Sequence, residues 1–267
     1  MGVPYAEVIG DPVAHSRSPL IHKYWLEQLG LEGDYRATRV TADELPAYLE
    51  DRRSDPDWRG CNVTMPLKEA ALALVDVSGP ARGIGAVNIV TRHEQLLIGI
   101  NSDGEGLSLA VEMAKLRPQR VAIIGAGGAA RAALEELRLF RASHVVMLNR
   151  SPEKAAALLD RFDMRGEALP LGAAPAVDLL INASPLGMTG YPPLEVDLSQ
   201  LEAGATVLDM VYDPLETPLL RAARAKGLRA IDGLTMLINQ AAMAFTRFFR
   251  VAPDAAGNVE LRRLLTS

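Results

Sequence analysis

Residues 121–150 read VAIIGAGGAARAALEELRLFRASHVVMLNR, and the fold is decided here. Val121–Ile124 is a short apolar run of the kind a strand buried on both faces requires. Gly125, Gly127 and Ala130 follow it in the spacing G-x-G-x-x-G/A. Gly125 permits a tight turn from strand to helix. Gly127 lets backbone approach a pyrophosphate, and Ala130 lets the helix pack close on the strand. The helix that follows presents unpaired N–H groups and a partial positive charge to phosphates. Glycines punctuate many turns, so the pattern alone is weak. Between a strand and a helix it reads as a dinucleotide-binding β-α-β unit.

The end of the next strand, His144–Asn149, selects the dinucleotide. An NAD site places Asp or Glu there for the ribose 2′-hydroxyl. This chain has Asn149-Arg150-Ser151. A carboxylate would repel a 2′-phosphate, whereas the Arg150 guanidinium pairs with it and stacks on adenine. Asn149 and Ser151 add donors, and Lys154 adds charge one turn on. Ser151 also suits an N-cap with Pro152 at the first helical position. The two roles are compatible, and the expectation is NADP.

Working outward, strands alternate with helices along the whole chain, which implies a largely parallel sheet. Upstream, Tyr5–Gly10, Tyr35–Val40 and Gly60–Val63 read as strands. Helices are expected over Pro19–Leu29, with Ser18 as N-cap, over Asp43–Arg52, with a Thr41/Glu44 capping box, and over Pro66–Leu74. Ala86–Thr91 and Leu96–Ile100 suit a hairpin. Gly104–Leu116 reads as a helix. Downstream come a helix at Pro152–Phe162, strands at Val177–Asn182 and Thr206–Met210, and helices at Thr217–Lys226 and Leu234–Phe249. Gly166–Ala176 is rich in Pro, Gly and Ala, which leaves its element type open.

The chain has 267 residues, a formal net charge of −5 and one cysteine. The length suits two domains. No global basic field exists to attract nucleic acid or an anionic membrane. Cys61 has no partner for an internal disulfide, and with four scattered histidines it makes no zinc pattern. No apolar run approaches the ~20 residues of a membrane span, and the first residues lack a signal-peptide pattern. The expectation is a cytoplasmic protein without a metal.

Four polar clusters precede the glycine loop. In an open α/β sheet, ligands bind at strand carboxyl ends. His15-Ser16-Arg17-Ser18-Pro19 offers two hydroxyls beside a helix start, which suits a carboxylate ligand. Helix capping explains Ser18 but not Ser16. Asn62-Val63-Thr64-Met65-Pro66-Leu67-Lys68 puts a lysine in an expected first helical turn, where the helix dipole disfavours its charge. A solvated surface lysine is the plainer reading. Gly85-Ala86-Val87-Asn88 and Gly99-Ile100-Asn101-Ser102-Asp103-Gly104 complete the set. Asn88 and Asp103 also suit turn or cap positions.

Taken together, HSRSP, NVTMPLK, GAVNIV, GINSDG, GAGGAARA, NRS, INASPLGM, DMVYDP and DGLTMLINQAA resemble the shikimate dehydrogenase family over Tyr5 to Phe249. The resemblance implies an α/β fold of two domains with a cleft between them. A mainly parallel substrate domain would span 1–103, with C-terminal helices of 234–267 packing back on it. A Rossmann-like NADP-binding domain would span 104–233. The implied catalytic pair is Lys68 and Asp103. Ser16, Ser18, Thr64, Asn88, Tyr212 and Gln240 would join them in binding substrate. NADP(H) would meet Gly125, Ala126, Gly127, Gly128, Ala129, Asn149, Arg150, Ser151, Lys154, Met210 and Gly233. Ser102 and Ser151 replace the family's usual threonines but keep a hydroxyl.

The activity so implied is NADPH-dependent reduction of 3-dehydroshikimate to shikimate, in aromatic amino-acid (chorismate) biosynthesis. The implied partners are small molecules, neither nucleic acid nor membrane, in a monomer or homodimer. The alternatives are a quinate/shikimate dehydrogenase of wider substrate or cofactor range, and a catalytically silent NADP-binding sensor.

Overall fold

Tyr5–Gly10 forms strand β1, and all six of its residues are buried, as a central strand covered on both faces demands. The computed structural model describes residues 2–254 and 258–266. Its contacts divide the chain into two units. One runs to Ser102 and resumes at Gln240; the other is Asp103–Asn239.

In the first unit β1 pairs in parallel with β2 (Asp34–Arg39) and β3 (Trp58–Val63). With β4 (Asp76–Val77), β5 (Ile89–His93) and β6 (Leu96–Ile100), the strand order is β2-β1-β3-β5-β6-β4. The sheet is mainly parallel, as expected. Only β5 runs antiparallel to both neighbours, because the Glu94–Gln95 turn joining it to β6 is too short for a parallel crossover. Alternation along β1 serves two layers. Tyr5 and Ile9 meet Leu45 and Leu49 of α2 (Leu45–Ser54), after α1 (Ser18–Gln28) has turned Ile21, His22, Trp25 and Leu26 inward. Ala6 and Val8 face the opposite way, toward Tyr35, Ile89 and Phe248.

Three helix expectations for this unit need correction. Ser18 is not the N-cap of α1: Arg17 holds that position without a side-chain bond, and the Ser18 amide donates to Ser16 Oγ at 3.2 Å. The hydroxyl two residues back reaches the amide that Ser18 cannot reach itself. No α-helix covers Pro66–Leu74. A turn leads into one 3-10 turn at Ala70–Ala73, with bonds from Leu67 N to Thr64 O and from Leu72 N to Glu69 O. The Lys68 carbonyl is drawn out of a helical ladder because it accepts the Val87 N–H at 2.8 Å. The two Thr41/Glu44 bonds do form, with the Thr41 amide donating to Glu44 Oε2 at 2.8 Å and the Glu44 amide to Thr41 Oγ1 at 3.4 Å, but α2 starts at Leu45 with Glu44 rather than Thr41 at its N-cap. A short α3 (Ala81–Ile84) lies outside any expectation.

The second unit opens with α4 (Asp103–Met113), so Asp103 is a first-turn residue and not a flanking cap. Its sheet holds β7 (Arg120–Ile124), β8 (His144–Asn149), β9 (Gly166–Pro170), β10 (Leu179–Asn182), β11 (Thr206–Asp209) and β12 (Arg229–Ile231). Every pairing is parallel, in the order β12-β11-β10-β7-β8-β9. Counted from β7 this is 3-2-1-4-5-6, the dinucleotide-binding order, with its reversal between β7 and β10. The ambiguous stretch at 166–176 thus begins as the edge strand β9.

Helices cover both faces of this sheet. Ala130, Ala133, Leu134 and Leu137 of α5 (Gly128–Leu139) recur at helical spacing and pack with Val121 and Ile123. Ala122 and Ile124 point the other way, toward Leu219, Leu220 and Ala223 of the later α7 (Pro218–Ala225). Between these helices α6 (Pro152–Arg161) follows β8. The unit boundary falls inside α8 (Gly233–Phe249). A final α9 (Asn258–Thr266) packs on α1. Of the C-terminal helices expected over 234–267, positions 255–257 and 267 lie outside the described residues. Among the described residues no helix is long and apolar enough to cross a membrane.

Candidate functional site

The second unit carries the glycine loop at the carboxyl end of β7. Gly125 has φ of +108°, and a Cβ there would stand 3.1 Å from the Ala183 carbonyl oxygen. Both facts exclude larger residues, while its amide holds Leu148 O at 2.9 Å. Gly127 caps α5, and a Cβ on it would meet nothing within 4 Å. Its exposed backbone therefore faces open space at a helix N-terminus, where a pyrophosphate can approach. Ala126, Gly128 and Ala129 are half-buried around it, and Ala130 is fully buried beneath.

At the end of β8 an Asn149 amide N–H donates to Ser151 O at 3.0 Å and tightens the turn into α6. Ser151 is the N-cap of α6 with Pro152 behind it, yet its hydroxyl makes no capping bond. Arg150 and Lys154 are exposed. Asn149-Arg150-Ser151 offers one cation and neutral donors with no carboxylate, as a 2′-phosphate requires, and Glu153 comes only inside the first turn of α6. These residues fit NADP.

The ends of β10 and β11 are tied together by a buried polar chain. Asp209 Oδ1 accepts from Asn182 Nδ2 at 2.8 Å and from the Val211 amide at 3.0 Å; Oδ2 accepts from Thr217 Oγ1 at 2.6 Å. Asn182 Oδ1 in turn accepts the Ser184 amide at 3.1 Å and its hydroxyl at 2.7 Å. Burial holds the Asp209 carboxyl above the usual carboxylate range, and the three donors only moderate that. Met210 follows directly and is half-buried. A Cβ on Gly233 would lie 2.4 Å from Met210 O, so the structure brings these two expected cofactor residues together. Tyr212, half-buried, is two residues on, and Asp103, buried, starts α4.

In the first unit Ser16, Ser18, Thr64, Lys68 and Asn88 lie at one end of the sheet. β1 and β3 are parallel, so the loop holding Ser16 and Ser18 lies at the same end as Thr64 and Lys68. β5 is reversed, so its amino end, with Asn88, is at that end of the sheet too. The ladder shows the adjacency: Val63 N–H donates to Asn88 O at 2.8 Å and Asn88 N–H to Ile100 O at 3.0 Å. Asn88 is buried, and Ser16, Ser18, Thr64, Lys68 and Gln240 are half-buried. Because no α-helix begins at Pro66, the helix-dipole argument for Lys68 falls away. The lysine is placed instead by its own backbone, pinned to Val87.

Sequence reading missed the polar groups beneath this end of the sheet. Tyr35, fully buried on β2, donates its hydroxyl to Asn62 Oδ1 at 2.6 Å, and Asn101 Nδ2 donates to Ala86 O at 3.0 Å. His22 stacks on Tyr35 with ring centroids 3.9 Å apart; burial pushes its pKa down to about 3. Asn62 and Asn101 lie inside the quoted motifs. Tyr35 and His22 carry no sequence signal, because what sets them apart is burial. Among the described residues no cluster of His, Cys, Asp and Glu is arranged to hold a metal ion.

Comparison with known proteins matches this architecture. Residues 8–90 match the shikimate dehydrogenase substrate binding domain and residues 108–183 the shikimate / quinate 5-dehydrogenase domain. Shikimate dehydrogenase (NADP(+)) of Sphingopyxis alaskensis is 53% identical, covering 99% of this chain and 97% of its own. Shikimate 5-dehydrogenase from Thermus thermophilus, solved in complex with NADP(H) and shikimate, has a TM-score of 0.89 at 40% identity, over 98% of this chain and 99% of that one. The ligand-free 5-ketofructose reductase of a Gluconobacter strain also has a TM-score of 0.89, at 30% identity and 99% coverage of both chains. Matched in both halves and along nearly its whole length, the chain belongs to the shikimate dehydrogenase family.

Proposed function

We propose that the protein catalyses 3-dehydroshikimate + NADPH + H⁺ ⇌ shikimate + NADP⁺, a step of aromatic amino-acid biosynthesis. The observation that carries this reading is the 53% identity to a shikimate dehydrogenase (NADP(+)) over 99% of the chain. The β8 end, with Arg150 and no carboxylate, supports the phosphorylated cofactor.

The first unit serves as the substrate domain and the second as the cofactor domain. Ser16 and Ser18 bind the substrate carboxylate by hydrogen bonds. Thr64, Asn88, Tyr212 and Gln240 contact the carboxylate or ring hydroxyls. Lys68 and Asp103 handle the proton that the carbonyl oxygen gains on reduction and loses in reverse. The Gly125–Ala129 loop receives the pyrophosphate at the start of α5, and Arg150, Ser151, Asn149 and Lys154 receive the 2′-phosphate. Met210 and Gly233 border the nicotinamide. The bound dinucleotide supplies the hydride; the protein supplies orientation and proton transfer. The enzyme works in the cytoplasm, as a monomer or homodimer; its one cysteine, Cys61, is buried and unpaired, which suits a reducing compartment.

The test is the formation of reduced nicotinamide with shikimate or quinate, each against NADP⁺ and NAD⁺. Shikimate with NADP⁺ is expected to give the highest kcat/KM. Preference for quinate would move the protein to the broader class, and silence in all four assays would make it a binding protein.

A further inference from the structure

We infer that Asp209 is a positioning residue for the nicotinamide half of the dinucleotide site, acting through Asn182. This rests on the NADP reading above.

Asp209 is fully buried at the end of β11, and its three donors, Asn182, Val211 and Thr217, bring no cation. A buried carboxylate without a cation is costly unless several donors satisfy it. Three do, and each fixes a different segment. The Val211 amide, bound at 3.0 Å, sets the backbone that carries Met210. The Thr217 hydroxyl, bound at 2.6 Å, also accepts the Leu220 amide at 3.2 Å and so seats the first turn of α7. Asn182 Nδ2 is bound at 2.8 Å and also donates to Leu186 O at 3.1 Å.

Asn182 passes the constraint on. With its amide nitrogen turned to Asp209, its oxygen must face Ser184, where it accepts both the amide and the hydroxyl. Ser184 Oγ then accepts the Leu186 amide at 3.3 Å. The loop fixed in this way supports the glycine loop: a Cβ on Gly125 would stand 3.1 Å from Ala183 O and 3.3 Å from Ser184 Cβ. One carboxylate thus locks the loop after β10 and the backbone after β11 relative to the cradle.

The chain acts on one half of the ligand. A dinucleotide lies across the reversal between β7 and β10. The 2′-phosphate residues end β8, three strands from β11 in the sheet, or about 14 Å at ~4.8 Å per strand. Loosening Asp209 therefore disturbs the nicotinamide side and leaves the 2′-phosphate end in place.

The experiment compares Kd for NADP⁺ with Kd for adenosine 2′-monophosphate, which lacks both the pyrophosphate and the nicotinamide half, by calorimetry on wild type, Asp209→Ala, Asp209→Asn and Asn182→Ala. Asp209→Ala and Asn182→Ala are expected to weaken NADP⁺ roughly tenfold, the worth of one or two hydrogen bonds, while adenosine 2′-monophosphate changes by less than about twofold. Asp209→Asn keeps the oxygen that accepts from Asn182 and Val211, so it should restore most NADP⁺ affinity. Equal weakening of both ligands would make the network merely structural and overturn the inference, as would no weakening of either. Should Asp209→Ala not fold, Asn182→Ala alone decides, because it cuts the link to Ser184 and leaves Thr217 and Val211 bound. Failure of wild type to bind either ligand would instead overturn the NADP reading.

Discussion

The Ser102 amide donates to Asn88 Oδ1 at 2.8 Å, and the Asn88 amide donates back to Ser102 Oγ at 3.2 Å. Both residues are almost fully buried, Ser102 at 1% and Asn88 at 4% exposure. The pair ties the amino end of β5 to the last residue before Asp103. It also shows what the hydroxyl at 102 does, and why serine in place of threonine preserves it. Ser102→Ala should cost about 0.5–1.5 kcal/mol, the net worth of one hydrogen bond. Asn88→Ala should cost more, about 1–3 kcal/mol, because it also strands a buried backbone amide. Urea unfolding of both variants checks the order; Asn88→Ala as stable as Ser102→Ala would contradict it.

Lys68→Ala should lower kcat by roughly 10²–10⁴, the usual share of general acid–base catalysis. NADP⁺ affinity should stay nearly unchanged, because the role assigned to Lys68 is toward the substrate's proton and not toward the cofactor's phosphates. Steady-state kinetics with a separate NADP⁺ titration makes the distinction. Near-normal turnover would remove Lys68 from the chemistry.

The parts legible in sequence are those with a local cause. The β7–α5–β8 unit announces itself because glycine spacing, strand burial and helix periodicity all act within thirty residues. The β1 strand and the Thr41/Glu44 bonds are local in the same way. The helix expected at Pro66–Leu74 fails because a remote partner, Val87, captures the Lys68 carbonyl. Strands β4 and β12 have two and three residues, too few to leave a period, and exist only through their neighbours. The expected site residues follow from the motifs. Asp209, Asn182 and Thr217 stand in or near the same motifs, but that one is a buried carboxylate shared by three donors emerges only once β10, β11 and α7 are folded together. Tyr35 and His22 are invisible for the same reason.

His22 gives the protein a pH dependence of defined sign. It is fully buried, and burial lowers its pKa from 6.5 to about 3. Its folded pKa lies below its unfolded value, so the unfolded chain takes up a proton that the native chain refuses. The contribution to stability is therefore complete above pH ~6.5 and is lost as pH falls toward 3. The ceiling is on the order of 4–5 kcal/mol at 1.36 kcal/mol per pKa unit. His22→Phe keeps a ring against Tyr35 and removes two buried nitrogens that have no hydrogen-bond partner. The difference in unfolding free energy between the two proteins, measured by urea from pH 8 to pH 4, should move steadily in favour of the variant. A constant difference would show that His22 titrates in the native protein as it does in the unfolded chain.

Arg150 decides the choice between the two dinucleotides. One Asn149 N–H is committed to Ser151 O, and the Ser151 hydroxyl is small and neutral. The guanidinium is therefore the strongest single attraction for a 2′-phosphate at this strand end, with exposed Lys154 a more distant charge. A charge-assisted hydrogen bond is worth about 1.5–3 kcal/mol, so Arg150→Ala should weaken NADP⁺ roughly 10–100-fold. NAD⁺ lacks the phosphate and loses only stacking on adenine, a change of less than about threefold by the smaller value of an exposed cation–π contact. The variant should approach indifference between the cofactors without gaining NAD⁺ affinity, because no carboxylate is created for the ribose hydroxyl. Paired titrations of NADP⁺ and NAD⁺ against wild type and variant test this, and an equal loss for both would mean that Arg150 reads the adenosine and not the phosphate.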